Sequence, residues 1–217
     1  MAGSVHYSLG PEDTVGAASL EAQWKPCQPE RATAMEHTPV DLSDKRHLTV
    51  EQRLRRLESI EAIKQLKYRY LRACDNQDPT AVKACYAEGD IELDFGRVGA
   101  FSSRDELVET FSNLACQPHI IEMHHAQNPE VSLLDEDHAS GCWGLYYFLI
   151  NTRDRTTTQL AGHYQDRYVR TAEGWRICAS RFTVTSTLLT SVPDGVQKLM
   201  FMGAQASPEI DDPSLQA

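Results

Sequence analysis

The chain has 217 residues and a formal net charge of -10, with 31 acidic against 21 basic side chains. Its length predicts one domain of ordinary size plus tails. The acidic balance argues against a nucleic-acid partner, because phosphate backbones are bound by clustered Lys and Arg. No stretch approaches the roughly 20 apolar residues that span a bilayer, and the first residues lack a cationic start followed by an apolar core. We therefore expect a cytoplasmic protein with no membrane partner.

The cysteines stand singly along the chain, without a C-x-x-C pair or a cluster of the kind that binds zinc. They are expected to be reduced and mostly buried, and no metal site is predicted. Cys74 and Cys116 are the alternatives to consider as catalytic thiols, but no cation or helix N-terminus is evident near either of them to lower its pKa.

The two ends of the chain differ in composition from its middle. Residues 1–47 mix Gly, Pro, Ser, Thr and Glu without a helical or strand period, which predicts an unstructured extension. The isolated Trp24 leaves open that this extension contacts a partner subunit. Residues 193–217 read as a C-terminal tail, so the predicted domain is 48–192.

Three helices are predicted in the first half of this domain. Thr49 followed by Gln52 fits a capping box, and the helix it starts runs to about Cys74, with room for one break. Asp78 with Pro79 is a favourable start for a short second helix. Ser102 or Ser103 opens a third, after the alternating segment DIELDFG at 90–96, which predicts a strand.

From His119 onward the apolar period changes to two, which predicts strands at about 119–134, 138–152, 158–171 and 174–190. Strands joined by short turns form an antiparallel sheet, and helices that precede them pack on one face. A strongly twisted sheet curls. The predicted fold class is therefore α+β, a cone-shaped, curved, mixed or antiparallel sheet wrapped around the N-terminal helices, with an apolar interior suited to a small ligand.

Asp75 and a histidine doublet are the leading candidates for chemistry. Asp75 falls where the first helix must end, and the helix dipole there disfavours negative charge, so a cationic partner such as His⁺ is expected nearby. On the strand from Ile120, alternation places His125 inward with Met123, whereas a β-bulge would shift that assignment to His124. Either histidine would suit proton transfer near neutral pH. Each of these groups also has a purely structural alternative.

Further candidates lie on the predicted helix and strands. Tyr70 shares the apolar face of the first helix, so its hydroxyl either lines a cavity or bonds within the core. Arg181 alternates with inward residues of the last strand and needs an acidic partner, for which Asp166 is the candidate. The predicted substrate contacts, which are aromatic walls or core, are Trp143, Tyr147, His125 and Phe95.

The segments I-x-x-L-K-Y-R-Y-x-x-x-x-D at 63–75, H-x-x-x-N at 124–128 and G-W-R-I at 174–177 resemble the SnoaL-like group of the nuclear transport factor 2-like superfamily. The resemblance covers about residues 50–190. It implies that His124 is a general base, Asp75 its orienting carboxylate and Tyr70 a hydroxyl donor, with Arg181 as an assisting residue. It also implies dimers or trimers that form through the outer sheet face.

The resemblance predicts a cofactor-independent dehydratase that acts on a flat, apolar, carbonyl-bearing ring, steroid-like or polyketide-like. Two alternatives stay open. A ring isomerase or cyclase would use the same acid–base groups, and a non-catalytic ligand-binding or dimerisation module would use only the fold, because fold does not determine function.

Overall fold

A computed structural model of the protein describes residues 48–191. The predicted extension at 1–47, with Trp24, and the predicted tail at 193–217 lie outside the described residues. The description therefore concerns the predicted domain.

The helices begin at the polar caps that the sequence predicts. Helix α1 (Val50–Asp75) starts at Thr49, whose side chain accepts from the Gln52 amide while the Gln52 side chain accepts from Thr49. Helix α1 is continuous, whereas the sequence left room for one break. Helix α2 (Pro79–Ala84) is capped by Asp78, and α3 (Arg104–Leu114) is capped by Ser103. None of the helices within 48–191 is long and apolar enough to cross a membrane.

Six strands form one open sheet in the order β2-β1-β6-β5-β4-β3. The strands are β1 (Glu92–Asp94), β2 (Ala100–Phe101), β3 (Ile120–Leu133), β4 (His138–Asn151), β5 (Thr156–Thr171) and β6 (Gly174–Ser191). A single 3-10 turn, Gly96–Val98, separates β1 from β2. The pairing of β1 with β6 is parallel and the other pairings are antiparallel, so the sheet is mixed. The predicted α+β class is confirmed.

Bulges decide which side chains face the helices. The β3–β4 register shifts between Gln127 and Glu130, where Asn128 adopts a left-handed backbone with φ of 48°. The β5–β6 register shifts where Cys178 is the extra residue on β6, and again near Gly162. Each extra residue reverses the inward and outward sense of the strand beyond it. Simple alternation is therefore wrong past each bulge.

The core between α1 and the sheet contains an ion pair. Lys67 on α1 and Asp166 on β5 are both fully buried, with Nζ and Oδ2 2.9 Å apart. The same carboxylate accepts hydrogen bonds from the hydroxyls of Tyr168 and Ser180, at 2.8 and 2.7 Å. Trp143 Nε1 donates to the Tyr168 hydroxyl at 2.8 Å. A polar network thus connects α1 to three strands inside an otherwise apolar core.

Candidate active site

Asp75 and His124 lie in direct contact. Asp75 is the last residue of α1, and its Oδ1 lies 2.7 Å from His124 Nδ1 and 3.0 Å from the His124 backbone nitrogen. The side chains are 28% and 12% exposed, respectively, so the contact is largely shielded from water. An ionised carboxylate only accepts hydrogen bonds, which assigns the proton to Nδ1 and leaves the lone pair on Nε2. The arrangement presents an oriented imidazole base.

Gln77 holds the loop after α1 against the start of β3. Its side-chain nitrogen lies 2.9 Å from the carbonyl oxygen of Ala115, 3.2 Å from that of Gln117 and 2.8 Å from that of Ile120. Its own backbone is left-handed, with φ of 53°, a conformation that is uncommon for a residue other than glycine. These contacts fix the end of the helix that carries Asp75 relative to the strand that carries His124.

His124, and not His125, faces the helices. His124 pairs in register with Tyr147, and their ring centroids are 4.8 Å apart, whereas the exposed His125 pairs with Tyr146 on the outer face. The inward assignment of His125 by alternation is therefore wrong. Val131 does point inward, but only because the bulge at Asn128 lies between it and the histidines. His125 is accordingly not part of the inner face that carries Asp75 and His124, which together form the Asp75–His124 dyad.

Tyr147 connects the imidazole to a second carboxylate. Its hydroxyl donates to Glu122 Oε1 at 2.6 Å while its ring contacts the His124 ring. Burial raises the pKa of Tyr147, and the nearby charge of Glu122 raises it further. The phenol is therefore neutral throughout the physiological range. Glu122 lies on the same face of β3 as His124, a placement that alternation predicted without indicating any role for it.

Tyr70 lies five residues before Asp75 on α1 and is almost completely buried. Its ring packs edge-on against Tyr86, with centroids 5.5 Å apart, and burial raises its pKa well above the ordinary value for tyrosine. The Lys67 ammonium lies 5.2 Å from the Tyr70 ring centroid. Tyr70 is thus a neutral phenol on the last turns of α1, the helix that ends at Asp75, and its ring belongs to the core.

Arg181 differs from the prediction in both its orientation and its partner. The bulge at Cys178 places Arg181 opposite the exposed Gln165, on the outer face. Its Nε lies 3.4 Å from Asp94 Oδ2, with both side chains partly exposed. The predicted Arg181–Asp166 pair is therefore wrong, because Asp166 is bound by Lys67. Arg181 therefore lies outside the inner face that carries Asp75 and His124.

The predicted aromatic contacts divide into core and inner wall. Trp143 is fully buried and donates a hydrogen bond to the Tyr168 hydroxyl, so it belongs to the core. Phe95 is half-buried and meets Tyr164 edge-on, with centroids 6.3 Å apart. Tyr164 in turn packs against Phe182 at 4.5 Å. Sequence reasoning missed Phe182, because alternation counted from Trp175 points it outward and only the bulge at Cys178 reverses this.

A family model described as "SnoaL-like domain" matches residues 55–181. The chain belongs to the SnoaL-like family. The match includes Asp75, His124 and Glu122, and it confirms the resemblance seen in the sequence. A comparison with curated proteins finds no match for this SnoaL-like protein.

Several solved structures share the fold of this SnoaL-like protein. A candidate scytalone dehydratase from Novosphingobium aromaticivorans is 20% identical over 67% of this chain and 99% of that chain, with a TM-score of 0.59. Hexachlorocyclohexane dehydrochlorinase LinA-type3 from Novosphingobium barchaimii is 16% identical over 68% and 98%, also with a TM-score of 0.59. A nuclear transport factor 2-like superfamily protein from Salmonella enterica is 15% identical over 65% and 96%, with a TM-score of 0.55. At these identities the comparisons show the fold.

Proposed function

We propose that this SnoaL-like protein is a cofactor-independent lyase of the dehydratase type, which acts on a flat, apolar, carbonyl-bearing ring compound, steroid-like or polyketide-like. The observation that carries the proposal is the 2.7 Å contact between Asp75 Oδ1 and His124 Nδ1 on a largely shielded inner face. A carboxylate that orients an imidazole is a recurrent device for proton abstraction.

In this mechanism the His124 Nε2 lone pair takes the proton from a C–H bond next to the substrate carbonyl. The electron pair of that bond forms the new double bond, and the hydroxyl on the β or vinylogous carbon leaves with a proton from the imidazolium, which completes a molecule of water. Tyr70 assists as a hydroxyl donor. Asp75 fixes the imidazole tautomer and stabilises the cation that forms, and positioned proton transfer of this kind contributes roughly 10²–10⁴ in rate.

The half-buried aromatic side chains suit a flat ligand. Phe95 and Phe182 both pack against Tyr164, and Tyr147 lies against His124. Of the three solved structures described above, two carry names of elimination enzymes, a candidate scytalone dehydratase and a dehydrochlorinase. Both elimination reactions remove a proton and a leaving group from one molecule. This supports a lyase. The flat, apolar character of the substrate is proposed on the aromatic residues, and its carbonyl group on the family resemblance.

Two assays separate proton abstraction from elimination. Exchange of the C–H hydrogens of 1-indanone in D₂O, followed by NMR, reports abstraction next to a carbonyl without any leaving group. Turnover of a panel of β-hydroxy ketosteroids, followed by mass spectrometry, reports loss of water, a shifted double bond or ring closure. The variants are His124→Gln and Asp75→Asn. The matched control is His125→Gln, the neighbouring imidazole on the opposite face.

We expect His124→Gln to lower exchange and turnover by at least about 100-fold, and His125→Gln to leave them unchanged. Rearranged product in place of water loss would reassign the protein as an isomerase or cyclase. If His124→Gln exchanges 1-indanone as fast as the unmodified protein, the enzymatic proposal is wrong and a binding module becomes the better interpretation.

A further inference from the structure

Glu122 provides a second polar position on the inner face, beside the dyad. It lies two residues before His124 on β3, so the two side chains leave the same face about 6.5 Å apart. Tyr147, opposite His124 on β4, spans this distance: its ring contacts the imidazole and its hydroxyl reaches Glu122 Oε1 at 2.6 Å. The phenol therefore orients the carboxylate relative to the proposed base.

The Glu122 carboxylate is set up to accept a further hydrogen bond. A distance of 2.6 Å is typical of a hydroxyl that donates to an ionised carboxylate. Oε1 takes this bond, which leaves Oε2 to accept another. Lys67 and the His124 ring are already engaged with other carboxylates, since Lys67 pairs with Asp166 and the His124 ring hydrogen-bonds Asp75. A partly buried carboxylate without a cation is stabilised by any donor that a ligand brings.

We propose that Glu122 is a specificity-determining residue that binds a hydroxyl group of the substrate, and that this hydroxyl is retained in the product. The inference rests on the proposed function, because it takes His124 as the base that meets the reacting carbon. A carboxylate accepts a hydrogen bond, whereas a departing hydroxyl has to receive a proton. The hydroxyl that leaves is therefore not the one at Glu122. The substrate class becomes a carbonyl-bearing ring with a second hydroxyl several ångströms from the acidic carbon.

Three flat ketones test this directly by calorimetric titration of the full chain: 5-hydroxy-1-indanone, 5-methoxy-1-indanone and 1-indanone. The first presents a donor, the second keeps the oxygen without the donor, and the third lacks both. We expect the unmodified protein to bind the hydroxy compound at least about tenfold more tightly than the methoxy compound, as a charge-assisted hydrogen bond would give. Glu122→Gln, which keeps the shape and an acceptor for Tyr147, should reduce this preference to about twofold or less.

Two variants make the outcomes distinct. Glu122→Asp keeps a carboxylate and should keep part of the preference, while His124→Gln should keep all of it and lose only deuterium exchange. An equal affinity of the unmodified protein for the hydroxy and methoxy compounds would overturn the inference without bearing on His124. No measurable binding of any of the three compounds would overturn it as well. A preference that survives in Glu122→Gln would also overturn it. If exchange is absent while the Glu122-dependent preference is present, the proposed function fails and hydroxyl recognition stands.

Discussion

The side-chain nitrogen of Gln77 lies 2.8 Å from the carbonyl oxygen of Ile120, so the loop that follows Asp75 is bound to the first residue of the strand that carries His124. The distance between the Asp75 carboxylate and the His124 imidazole therefore depends on Gln77, which is not itself one of the two reacting groups. Proton transfer is sensitive to such placement, since a shift of about 1 Å can cost roughly 100-fold in rate.

Gln77→Ala should lower both stability and catalysis. Three carbonyl oxygens share the two hydrogens of this amide, and those of Ala115 and Gln117 keep backbone donors, so we expect a loss of about 1–3 kcal/mol in the free energy of unfolding, measured with urea. Deuterium exchange of 1-indanone should fall at least about tenfold through kcat, with KM little changed, because the substrate contacts remain. Gln117→Ala is the control, since the Gln117 side-chain amide donates to the nearby carbonyls of Ser112 and Asn113, four or five residues away. Equal loss of kcat in both variants would contradict a positioning role for Gln77.

The Lys67–Asp166 pair should be costly to break from one side. Asp166→Asn leaves a buried ammonium without its carboxylate, and we expect a loss of about 3–5 kcal/mol in the free energy of unfolding at neutral pH. Lys67→Met should cost less, because Asp166 keeps the donors Tyr168 and Ser180. The double variant should be more stable than Asp166→Asn alone. A double variant that is less stable than Asp166→Asn would refute this account.

The pH dependence of Asp166→Asn follows from the pKa of Lys67. Burial lowers that pKa, and Asp166 opposes the effect by stabilising the ammonium. Without Asp166 the pKa of folded Lys67 should fall further. Between that lowered value and about 10.4, the value in the unfolded chain, the unfolded state binds more protons, so stability should rise with pH. Urea titrations at neutral pH and at about pH 9 measure the slope, which should be steeper than in the unmodified protein.

Five of the eight tyrosines should resist ionisation. Burial raises the pKa of Tyr70, Tyr86, Tyr147, Tyr164 and Tyr168. In the unfolded chain these phenols ionise near pH 10, so above that pH the folded state binds more protons and its stability falls. An alkaline titration followed by tyrosinate absorbance should show these five ionising only together with unfolding. Gradual ionisation of all eight in the folded protein would refute the prediction.

The elements were predictable from the sequence because their determinants are local. The Thr49 capping box, the Asp78-Pro79 start and the period-two strands each depend on neighbouring residues. The end of α1 at Asp75 is equally local. Which side chains point toward the helices was less predictable, because bulges at Asn128 and Cys178 reverse the inward and outward order of the strands. No turn-forming residue in the sequence marks the bulge at Cys178. The partners of Asp166 and Gln77 lie far away in sequence, so only the folded chain identifies Lys67 and Ile120.

The outer sheet face carries an apolar row that suits self-association, as the family resemblance implies. The register aligns Met123 with Phe148, Phe148 with Gln159, and Gln159 with Leu188, so that the polar Gln159 stands between apolar neighbours. Met123 is 39% exposed and Leu188 is 58% exposed. Burying such a row between copies would remove apolar surface from water. We propose a dimer or trimer through this face, in which Leu188→Glu would place one charge per copy at the contact.

Light scattering of the full chain after gel filtration measures the outcome. We expect two or three copies for the unmodified protein and a shift toward one copy for Leu188→Glu. Leu114→Glu is a matched control, because Leu114 is 57% exposed but lies at the end of α3, away from the outer sheet face. The control should keep the oligomer. A monomeric unmodified protein would refute the prediction, and so would equal dissociation of both variants, since an added charge far from the sheet would then act as strongly as one within the row.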